Sequence, residues 1–513
     1  MHKFACAMLA AGALALPGVV SADPAPPPLA LSSLGKVGEV SDRFLSYNIE
    51  MVEVTGGRFW RPYDSSGTDR YEYRPPIDLA EPRLRHLAAA LAPAYVRYSG
   101  TWANATWFSD TEDTPDRAPA GFDTVLTPKQ WRGAVQFARA VNAQIVTSFA
   151  TSAGTHDEQG PWKPEVANRW LAYTRAIGGA IAATEFGNEP NSLSLLKPPA
   201  GYTIADYRRD YAIFAGWLRK ASPRTLLLAP GYAELGEPIR SAYRAQPDGK
   251  TDAVDLLKAG DPRPDAVSFH FYGSASERCG GSFLKRTAAQ ALDPRWFAAI
   301  DPGIARTAAL RDSVAPGAPL WDTESAETVC GGNRIASTFA DSFRFLDQLG
   351  RSARQGVAVF IHNTLAASDY ALIDGHTLEP RPNYWAAVLW KRTMGSRVLA
   401  APASPGASMN LYAQCLRGSR GGVALLAINS GSTAQSLRVG SGMVWSLTGA
   451  PLDTREVRIN GVAPKADAAG RLSGLAGAPA NGAVQIPAQS IAFIAVPNAR
   501  NAACACGPVG ETK

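Results

Sequence analysis

The sequence lacks the patterns of several large protein classes. It contains no run of five or more Lys or Arg residues, and its formal charge of +6 over 513 residues is a mild basic excess. Proteins that bind nucleic acid usually concentrate positive charge on one face, so we expect no nucleic-acid partner. After residue 22 no apolar stretch is long enough to cross a bilayer. We therefore expect no membrane association either.

Histidine and cysteine are also scarce, with six residues of each. They form no cluster with the spacing of a metal site: the closely spaced Cys504 and Cys506 have no histidine near them. No GxGxxG motif follows the first predicted strand, which argues against a dinucleotide-binding fold. We therefore expect neither a metal nor a cofactor.

The N-terminal segment has the pattern of an export signal. A short basic start precedes the apolar run FACAMLAAGALALPGVV, and small residues lead up to Ala22. This pattern predicts a secretory signal peptide over residues 1–22, followed by a proline-rich leader over residues 23–42 that can add a strand to a later sheet. We expect a secreted or periplasmic protein, in which disulfides are permitted.

Apolar segments alternate with amphipathic helical segments over residues 43–395. Eight such strands predict an α/β fold, a (β/α)8 TIM barrel, with a doubly wound open sheet as the alternative. The strand candidates are RFLSYNI (43–49), AYVRYSG (94–100), QIVTSFA (144–150), IAATEFG (181–187), TLLLAPG (225–231), DAVSFHFYG (265–273), PLWDTES (319–325) and VAVFIHN (357–363).

The pattern changes after residue 395. Residues 396–513 lack helical periodicity and carry short alternating runs such as GVALLAINS and SIAFIAV, which Gly, Ser and Pro turns separate. Several short strands with such turns are typical of a sandwich. We therefore predict an accessory C-terminal β-sandwich domain after the barrel.

Two glutamates stand at the ends of predicted barrel strands. Glu189, in GNEPNS, follows the fourth strand, and Glu324, in WDTES, ends the seventh. Barrel enzymes carry their chemistry at the carboxyl ends of the strands, where these two strands face each other. Glycoside hydrolysis needs two opposed carboxylates, one to protonate the leaving oxygen and one to attack or to activate water. Glu327 is the alternative to Glu324, although it belongs to the following loop.

These motifs closely resemble glycoside hydrolase family 79, the heparanases and related β-glucuronidases, in the form of a bacterial member. The resemblance rests on GNEPNS, LAPAYVRYSGT, FHFYG, ASDYALID and PNYWAAVLW, and it covers nearly the whole mature chain. It implies a retaining double displacement with Glu189 as acid/base and Glu324 as nucleophile. It also implies a secreted endo-β-glucuronidase whose substrate is an acidic polysaccharide such as heparan sulfate. We expect a single-chain monomer, because only a short segment joins the second and third strands.

The resemblance assigns residues to the recognition of glucuronate. Asn188 would contact the sugar 2-hydroxyl. The backbone N–H groups of Gly331 and Gly332 would hold the uronate carboxylate, since glycine lets the backbone approach a ligand closely. The hydroxyl of Tyr370 would complete this carboxylate pocket.

Four more residues are expected around the same sugar. Tyr272, at the end of the sixth strand, should hydrogen-bond Glu324 and hold it ionised and oriented. His270, two residues earlier, points the same way along the strand and would line the adjacent subsite. Glu50 and Thr101, after the first and second strands, match residues that contact sugar hydroxyls.

Five cysteines remain after the signal peptide, so one is expected to stay unpaired. Cys415 and Cys504 match a family disulfide that ties the sandwich to its tail. Cys279 and Cys330 follow the sixth and seventh strands, and we predict that they pair and brace the loops at the barrel mouth. Cys506 is then left free.

Three other functions remain open. An exo-β-glucuronidase acting on plant glycans or small glucuronides would use the same pocket but close the far side of the cleft with a loop. The short loops predicted here favour an open cleft, whereas GYAELGEPIR is less basic than strong sulfate binding requires. A noncatalytic glycan-binding protein should lack a carboxylate. A xylanase or cellulase should not need the paired glycines and Tyr370.

Overall fold

The computed structural model describes most of the chain. The predicted signal peptide and Cys506 lie outside the described residues. Within them, no helix combines the length and hydropathy that a bilayer crossing requires. The description covers residues 28–505, apart from residues 114, 116, 159, 238, 245–250 and 282–283.

Eight parallel strands close into a barrel, so the (β/α)8 prediction is confirmed. Each strand pairs with the next along the chain, and the eighth pairs with the first. The predicted strands match the observed ones closely, except that β5 continues to Leu235. The strands are β1 (Leu45–Glu50), β2 (Ala94–Ser99), β3 (Ala143–Phe149), β4 (Ile181–Phe186), β5 (Leu226–Leu235), β6 (Ala266–Tyr272), β7 (Leu320–Ala326) and β8 (Val357–His362).

Helices connect the strands, and polar side chains cap several of them at the start. Thr127 and Gln130 form a capping box, in which each side chain accepts the backbone N–H of the other, at 3.2 and 2.8 Å. Thr203 and Asp206 form a second box before a longer helix. The longer helices are Pro82–Ala89, Pro128–Ala140, Glu165–Ala176, Ile204–Ala221, Asp301–Val314, Phe339–Arg354 and Pro382–Thr393. The shorter ones are Met51–Thr55, Ile239–Arg244, Ala253–Leu256, Glu277–Gly280, Ala288–Ala291 and Pro294–Phe297.

The barrel interior changes from apolar to charged along the strands. Alternate strand residues face the same side, so Tyr95 of β2 is followed inside the barrel by Arg97, and Ala183 of β4 by Glu185. Arg97 and Glu185 are fully buried. They lie nearer the carboxyl ends of the strands, so an ion pair stands between the apolar floor and the mouth. The floor consists of Tyr95, Val146, Ala183, Leu228, Ala266, Trp321, Val359 and Ile361.

The predicted accessory β domain is also confirmed. Eight strands form one antiparallel sheet with a core of its own, which runs from Leu411 and Leu425 to Leu437 and Val484. The strands are Lys36–Glu39, Met394–Leu399, Met409–Leu416, Val423–Asn429, Gln435–Thr448, Arg458–Ile459, Ala478–Ile486 and Ser490–Val496. Three two-stranded ribbons pair Gly57–Trp60 with Tyr71–Arg74, Thr106–Phe108 with Thr124–Leu126, and Lys465–Ala466 with Leu472–Ser473.

Both ends of the described chain enter this sheet. The strand Lys36–Glu39, from the leader, pairs antiparallel with Met394–Leu399. Near the other end, Asn501 Nδ2 donates hydrogen bonds to the carbonyls of Leu31 and Leu34 at 2.7 and 2.9 Å. The edge of the accessory sheet is therefore built from segments that lie far apart in sequence.

Among the described residues there are two disulfides, in the two pairings that were predicted. Cys279 and Cys330 join the loops after β6 and β7, and Cys415 and Cys504 join the accessory sheet to the C-terminal segment. The second bridge spans 89 residues and the first spans 51.

Removal of the Cys415–Cys504 bridge should destabilise the protein. We expect Cys415→Ala with Cys504→Ala to lower the free energy of unfolding by about 2–5 kcal/mol, because the open loop gains conformational freedom in the unfolded chain. Thermal unfolding followed by circular dichroism measures the change. Reductant should lower the melting temperature of the wild type but have a smaller effect on the double variant. An unchanged melting temperature in the variant would contradict the prediction.

Candidate active site

Glu189 and Glu324 face each other at the carboxyl ends of β4 and β7. One carboxylate oxygen of each lies within 4.8 Å of the other, and the two residues are 9% and 7% exposed. Glu189 has a φ of +54°, a left-handed conformation that few non-glycine residues adopt. Its N–H donates to the carbonyl of Gly231 at 3.1 Å, which fixes the turn. Both carboxylates therefore project into a cleft from buried strand ends.

Glu324 receives a hydrogen bond on each carboxylate oxygen. The Tyr272 hydroxyl donates to Oε1 at 2.6 Å, and Arg97 Nη1 donates to Oε2 at 3.0 Å. Burial, and then the charge of Glu324, raises the pKa of Tyr272 well above its usual value, so the hydroxyl remains a donor. The contact expected between Tyr272 and Glu324 is thus present. Two donors orient the carboxylate and suit a negatively charged nucleophile.

Arg97 joins the groups beneath the cleft into one network. Its guanidinium donates to Glu185 Oε2 at 2.9 Å and to Asn188 Oδ1 at 2.7 Å, besides its bond to Glu324. Although burial opposes the charged form, the Arg97 guanidinium holds the pKa of Glu185 below its usual value. Arg97 was not among the predicted site residues. A lone arginine inside the apolar strand AYVRYS is the signal that could have found it.

Asn188 is held so that its amide nitrogen can serve the substrate. Its side-chain oxygen is occupied by Arg97. Its backbone N–H donates to Asn104 Oδ1 at 2.7 Å, and its carbonyl accepts from Asn104 Nδ2 at 3.0 Å. With the oxygen engaged, Nδ2 is the group left to donate to a sugar hydroxyl.

His270 lies between the two carboxylates and is fully buried. Its Nδ1 is 3.1 Å from Glu189 Oε1, and its Nε2 is 3.3 Å from Arg97 Nη2. Because arginine only donates, Nε2 accepts, and a neutral ring carries its hydrogen on Nδ1, towards Glu189. We expected His270 to line the adjacent subsite, and the structure places it in contact with Glu189.

The same three side chains could be taken for a cation site. One ligand atom each from Glu189, His270 and Glu324 lie within 4.8 Å of one another. However, His270 Nε2 accepts from Arg97, which leaves the ring hydrogen on Nδ1 on this side in place of a lone pair, and the Arg97 guanidinium also donates to Glu324. The donor set fits proton transfer and nucleophilic attack better than it fits a metal ion.

Glu50 borders the cleft at the end of β1. Burial, and then the charge of Glu324, raises the pKa of Glu50 well above its usual value, so its carboxyl can donate as well as accept. Gly100 provides the room for this side chain: it has a φ of +87°, and a Cβ there would lie 1.5 Å from Glu50 Oε2. Any residue other than glycine at position 100 would displace Glu50.

A cavity of about 400 Å³ contains both carboxylates. Eight of the predicted site residues and cysteines border it. The predicted substrate-binding residues that do not border it are Asn188 and His270, which contact the network beneath, and Gly331 and Gly332; Cys415 and Cys504 lie in the accessory domain. The bordering residues are Glu50, Thr101, Glu189, Tyr272, Cys279, Glu324, Cys330 and Tyr370.

Gly331 and Gly332 belong to a segment of unusual backbone. Cys330, Gly331 and Gly332 have φ values of +63°, +84° and +86°, and their N–H groups donate to no other described residue. Gly331 packs against Trp60 and Gly332 against Tyr370. Cys330 is the member of this segment that borders the cavity. Three amides without an acceptor suit an anion, as in backbone nests.

Glu327, the alternative nucleophile, faces away from the cleft. It is fully buried, and its Oε2 accepts from the Asn333 N–H at 2.9 Å and from the Thr328 hydroxyl at 3.0 Å. Burial, and then the charge of Asp341, raises its pKa to about 7. It belongs to the packing of the loop after β7.

The cavity also has a wall that was not predicted from the sequence. Much of it comes from the two-stranded ribbon Gly57–Trp60 and Tyr71–Arg74, together with the segment after β2. Short runs such as RFW and YEYR around an SSGTD turn carry a hairpin signal, but nothing local indicates where the hairpin lies. The residues concerned are Phe59, Trp60, Arg70, Tyr71 and Trp102.

Comparison with known proteins gives several heparanase-type relatives. The chain is 28% identical to heparanase-like protein 1 of Arabidopsis thaliana over 395 residues, which cover 72% of this chain and 68% of that protein. It is 25% identical to the heparanase of Mus musculus over 91% of this chain and 92% of that protein. It is 23% identical to the hyaluronoglucuronidase of Hirudo nipponia over 71% and 77%. No protein-family model matches the chain.

Solved structures share the architecture. A 4-O-α-L-rhamnosyl-β-D-glucuronidase from Fusarium oxysporum is similar with a TM-score of 0.63 at 14% identity, covering 92% of this chain and 99% of that one. A GH51 arabinofuranosidase from Xanthomonas axonopodis pv. citri is similar with a TM-score of 0.60 at 15% identity, covering 90% and 99%. These likenesses establish the fold: a barrel with a further β domain.

Proposed function

We propose that this glycoside hydrolase is a secreted, retaining endo-β-glucuronidase of family 79 that cleaves glucuronyl bonds within heparan sulfate-type chains. The observation that carries the proposal is the approach of the Glu189 and Glu324 carboxylates to within 4.8 Å. Retention needs the two carboxyl groups only about 5–5.5 Å apart, whereas inversion needs about 6.5–9.5 Å. The heparanase and the hyaluronoglucuronidase among the relatives support a glucuronide as substrate. Two disulfides suit an oxidising compartment.

In the first step Glu324 attacks the anomeric carbon while Glu189 gives its proton to the glycosidic oxygen. The bond to the leaving sugar breaks as an ester to Glu324 forms. In the second step Glu189, now ionised, takes a proton from water, and the resulting hydroxide attacks the same carbon. The ester bond breaks and Glu324 regains its charge, which Arg97 and Tyr272 stabilise through their hydrogen bonds.

The surrounding residues suit a glucuronate ring in this position. The unpaired amides of the segment 330–332, with the Tyr370 hydroxyl, would bind the carboxylate on carbon 5. Asn188 would donate to the 2-hydroxyl through Nδ2, and this bond would strengthen as positive charge develops on the ring. Glu50 and Thr101 border the same cavity and would bind the remaining hydroxyls.

A second candidate is an exo-β-glucuronidase that takes terminal glucuronate. The observation in its favour is the aromatic ribbon wall, with Trp60 packed against Gly331, because a wall beyond the carboxylate site would exclude a longer chain. The two candidates use the same catalytic groups and differ in what the cleft admits.

The test compares products from two substrates, heparan sulfate and 4-nitrophenyl β-glucuronide, with wild type and Glu324→Gln. We expect wild type to shorten the polymer internally, as seen by size-exclusion chromatography, and the variant to lose this activity. Release of 4-nitrophenol with the polymer left intact would move the assignment to the exo enzyme. Activity on neither substrate would overturn glucuronate as the recognised sugar.

A further inference from the structure

The wall of the cavity includes a pair of stacked aromatic rings. Trp60 and Tyr71 pair directly across the ribbon strands Gly57–Trp60 and Tyr71–Arg74. Their ring centroids are 4.5 Å apart and their planes are tilted by 31°. Both side chains are half-buried and border the cavity that contains the two carboxylates. Half-buried rings at a polysaccharide cleft present an apolar surface that a ligand can cover.

The ribbon is fixed to the barrel by contacts from the segment that connects its strands and from its second strand. The Tyr63 hydroxyl hydrogen-bonds Ser276 Oγ at 2.8 Å, and the Tyr63 N–H donates to Asp369 Oδ2 at 3.2 Å. Arg74 Nη2 donates to the carbonyl of Gly375 at 3.2 Å. These partners follow β6 and β8. A surface held in place this way loses little freedom when a ligand binds.

The rings lie on the glucuronate side of the bond to be cleaved. Trp60 packs against Gly331, where an added Cβ would lie 2.6 Å from the Trp60 Cβ, beside the amides expected to bind the carboxylate. Glu189, which must reach the leaving oxygen, follows β4, and there Ser192 and Leu195 form the wall. The leaving sugar therefore belongs to the β4 wall and not to the ribbon.

We propose that Trp60 and Tyr71 form a platform on which the sugar preceding glucuronate stacks. A pyranose ring has an apolar face of C–H groups, which gains by covering an aromatic ring. In a heparan-type chain this occupant is an α-(1→4)-linked N-acetylglucosamine. The inference rests on the proposed function, and it makes the ribbon a binding surface of an endo-acting cleft rather than a barrier.

The experiment uses two substrates that share a leaving group. One is 4-nitrophenyl β-glucuronide, and the other carries N-acetylglucosamine α-(1→4)-linked to that glucuronate. We expect wild type to have a kcat/KM about 10- to 100-fold higher for the disaccharide. This ratio should fall towards one in Tyr71→Ala and in Trp60→Ala. It should be kept in Tyr71→Phe, which retains the ring, and in Tyr73→Ala, whose side chain is 70% exposed and does not border the cavity.

Several results would overturn the platform. The ratio could stay at its wild-type value in both alanine variants, or wild type could cleave the small glucuronide but not the disaccharide, as a barrier would require. An unchanged ratio accompanied by a loss that appears only when the sugar chain is extended on the leaving-group side would place the rings there. Failure of wild type on both substrates, with correctly folded protein by circular dichroism, would remove the proposed function itself and the platform with it.

Discussion

Glu324→Gln should lower kcat/KM by at least about 10⁴-fold on both polymeric and aryl glucuronides, because the amide cannot form the covalent intermediate. Steady-state release of 4-nitrophenol measures the loss. Glu327→Gln is the matched control: it makes the same chemical change three positions later, at a side chain that faces Asn333, and should keep kcat/KM close to wild type. The opposite pattern would assign the nucleophile to Glu327.

Glu189→Ala separates the acid/base role from that of the nucleophile. With a natural leaving sugar the rate should fall by about 10²–10⁴-fold, because the leaving oxygen is no longer protonated. With 4-nitrophenol, which leaves without a proton, a rapid burst should precede slow turnover. Azide should then restore turnover and give a β-configured glucuronosyl azide, whereas Glu324→Ala with azide should give the α-configured product. Identical azide products from the two variants would contradict the assigned roles.

Arg97→Met should abolish activity and strongly destabilise the barrel. The substitution leaves Glu185 as a buried charge without its partner, which costs about 3–5 kcal/mol. It also removes the donor that orients Glu324 and Asn188, and such misplacement can cost about 10²-fold or more in rate. Chemical denaturation gives the stability change, and assays on folded protein give the change in rate.

The double variant Arg97→Met with Glu185→Gln distinguishes positioning from folding. With both charges removed, most of the lost stability should return, while kcat should remain low because Glu324 still lacks the Arg97 donor. Recovery of activity together with stability would show that Arg97 acts only through the fold. Arg97→Lys offers an intermediate test, since one ammonium group cannot reach Glu185, Asn188 and Glu324 at once.

Much of the fold could be predicted because the strands and helices of a parallel barrel have recognisable local sequence patterns. Strands such as VAVFIHN are buried on both faces and read as continuous apolar runs, and capped helices separate them. Glu189 and Glu324 could be placed for the same reason: their positions relative to β4 and β7 put them at one end of the barrel. Roles that depend only on strand order are visible in the sequence.

The remaining features depend on contacts between distant segments. The lone arginine in AYVRYS marks Arg97 as unusual, but no local pattern reveals that its partners are Glu185 and Glu324 on distant strands. The ribbon wall is a similar case: its position depends on Tyr63 contacting Ser276 and Asp369. For Gly331 and Gly332 the segment was predicted, whereas the residue that borders the cavity is the preceding Cys330.

The positions of its strands in the chain limit when the accessory sheet can form. Lys36–Glu39 is synthesised long before its partner strand Met394–Leu399, and Asn501, whose side chain donates to the carbonyls of Leu31 and Leu34, is synthesised later still. During translation the edge formed by the leader therefore has nothing to pair with, although the barrel strands appear one after another beside their neighbours. The nascent chain must keep this segment unpaired and away from other strands. The sheet can be completed only after Met394–Leu399 and Asn501 have been synthesised, so the leader strand pairs after all eight barrel strands are available.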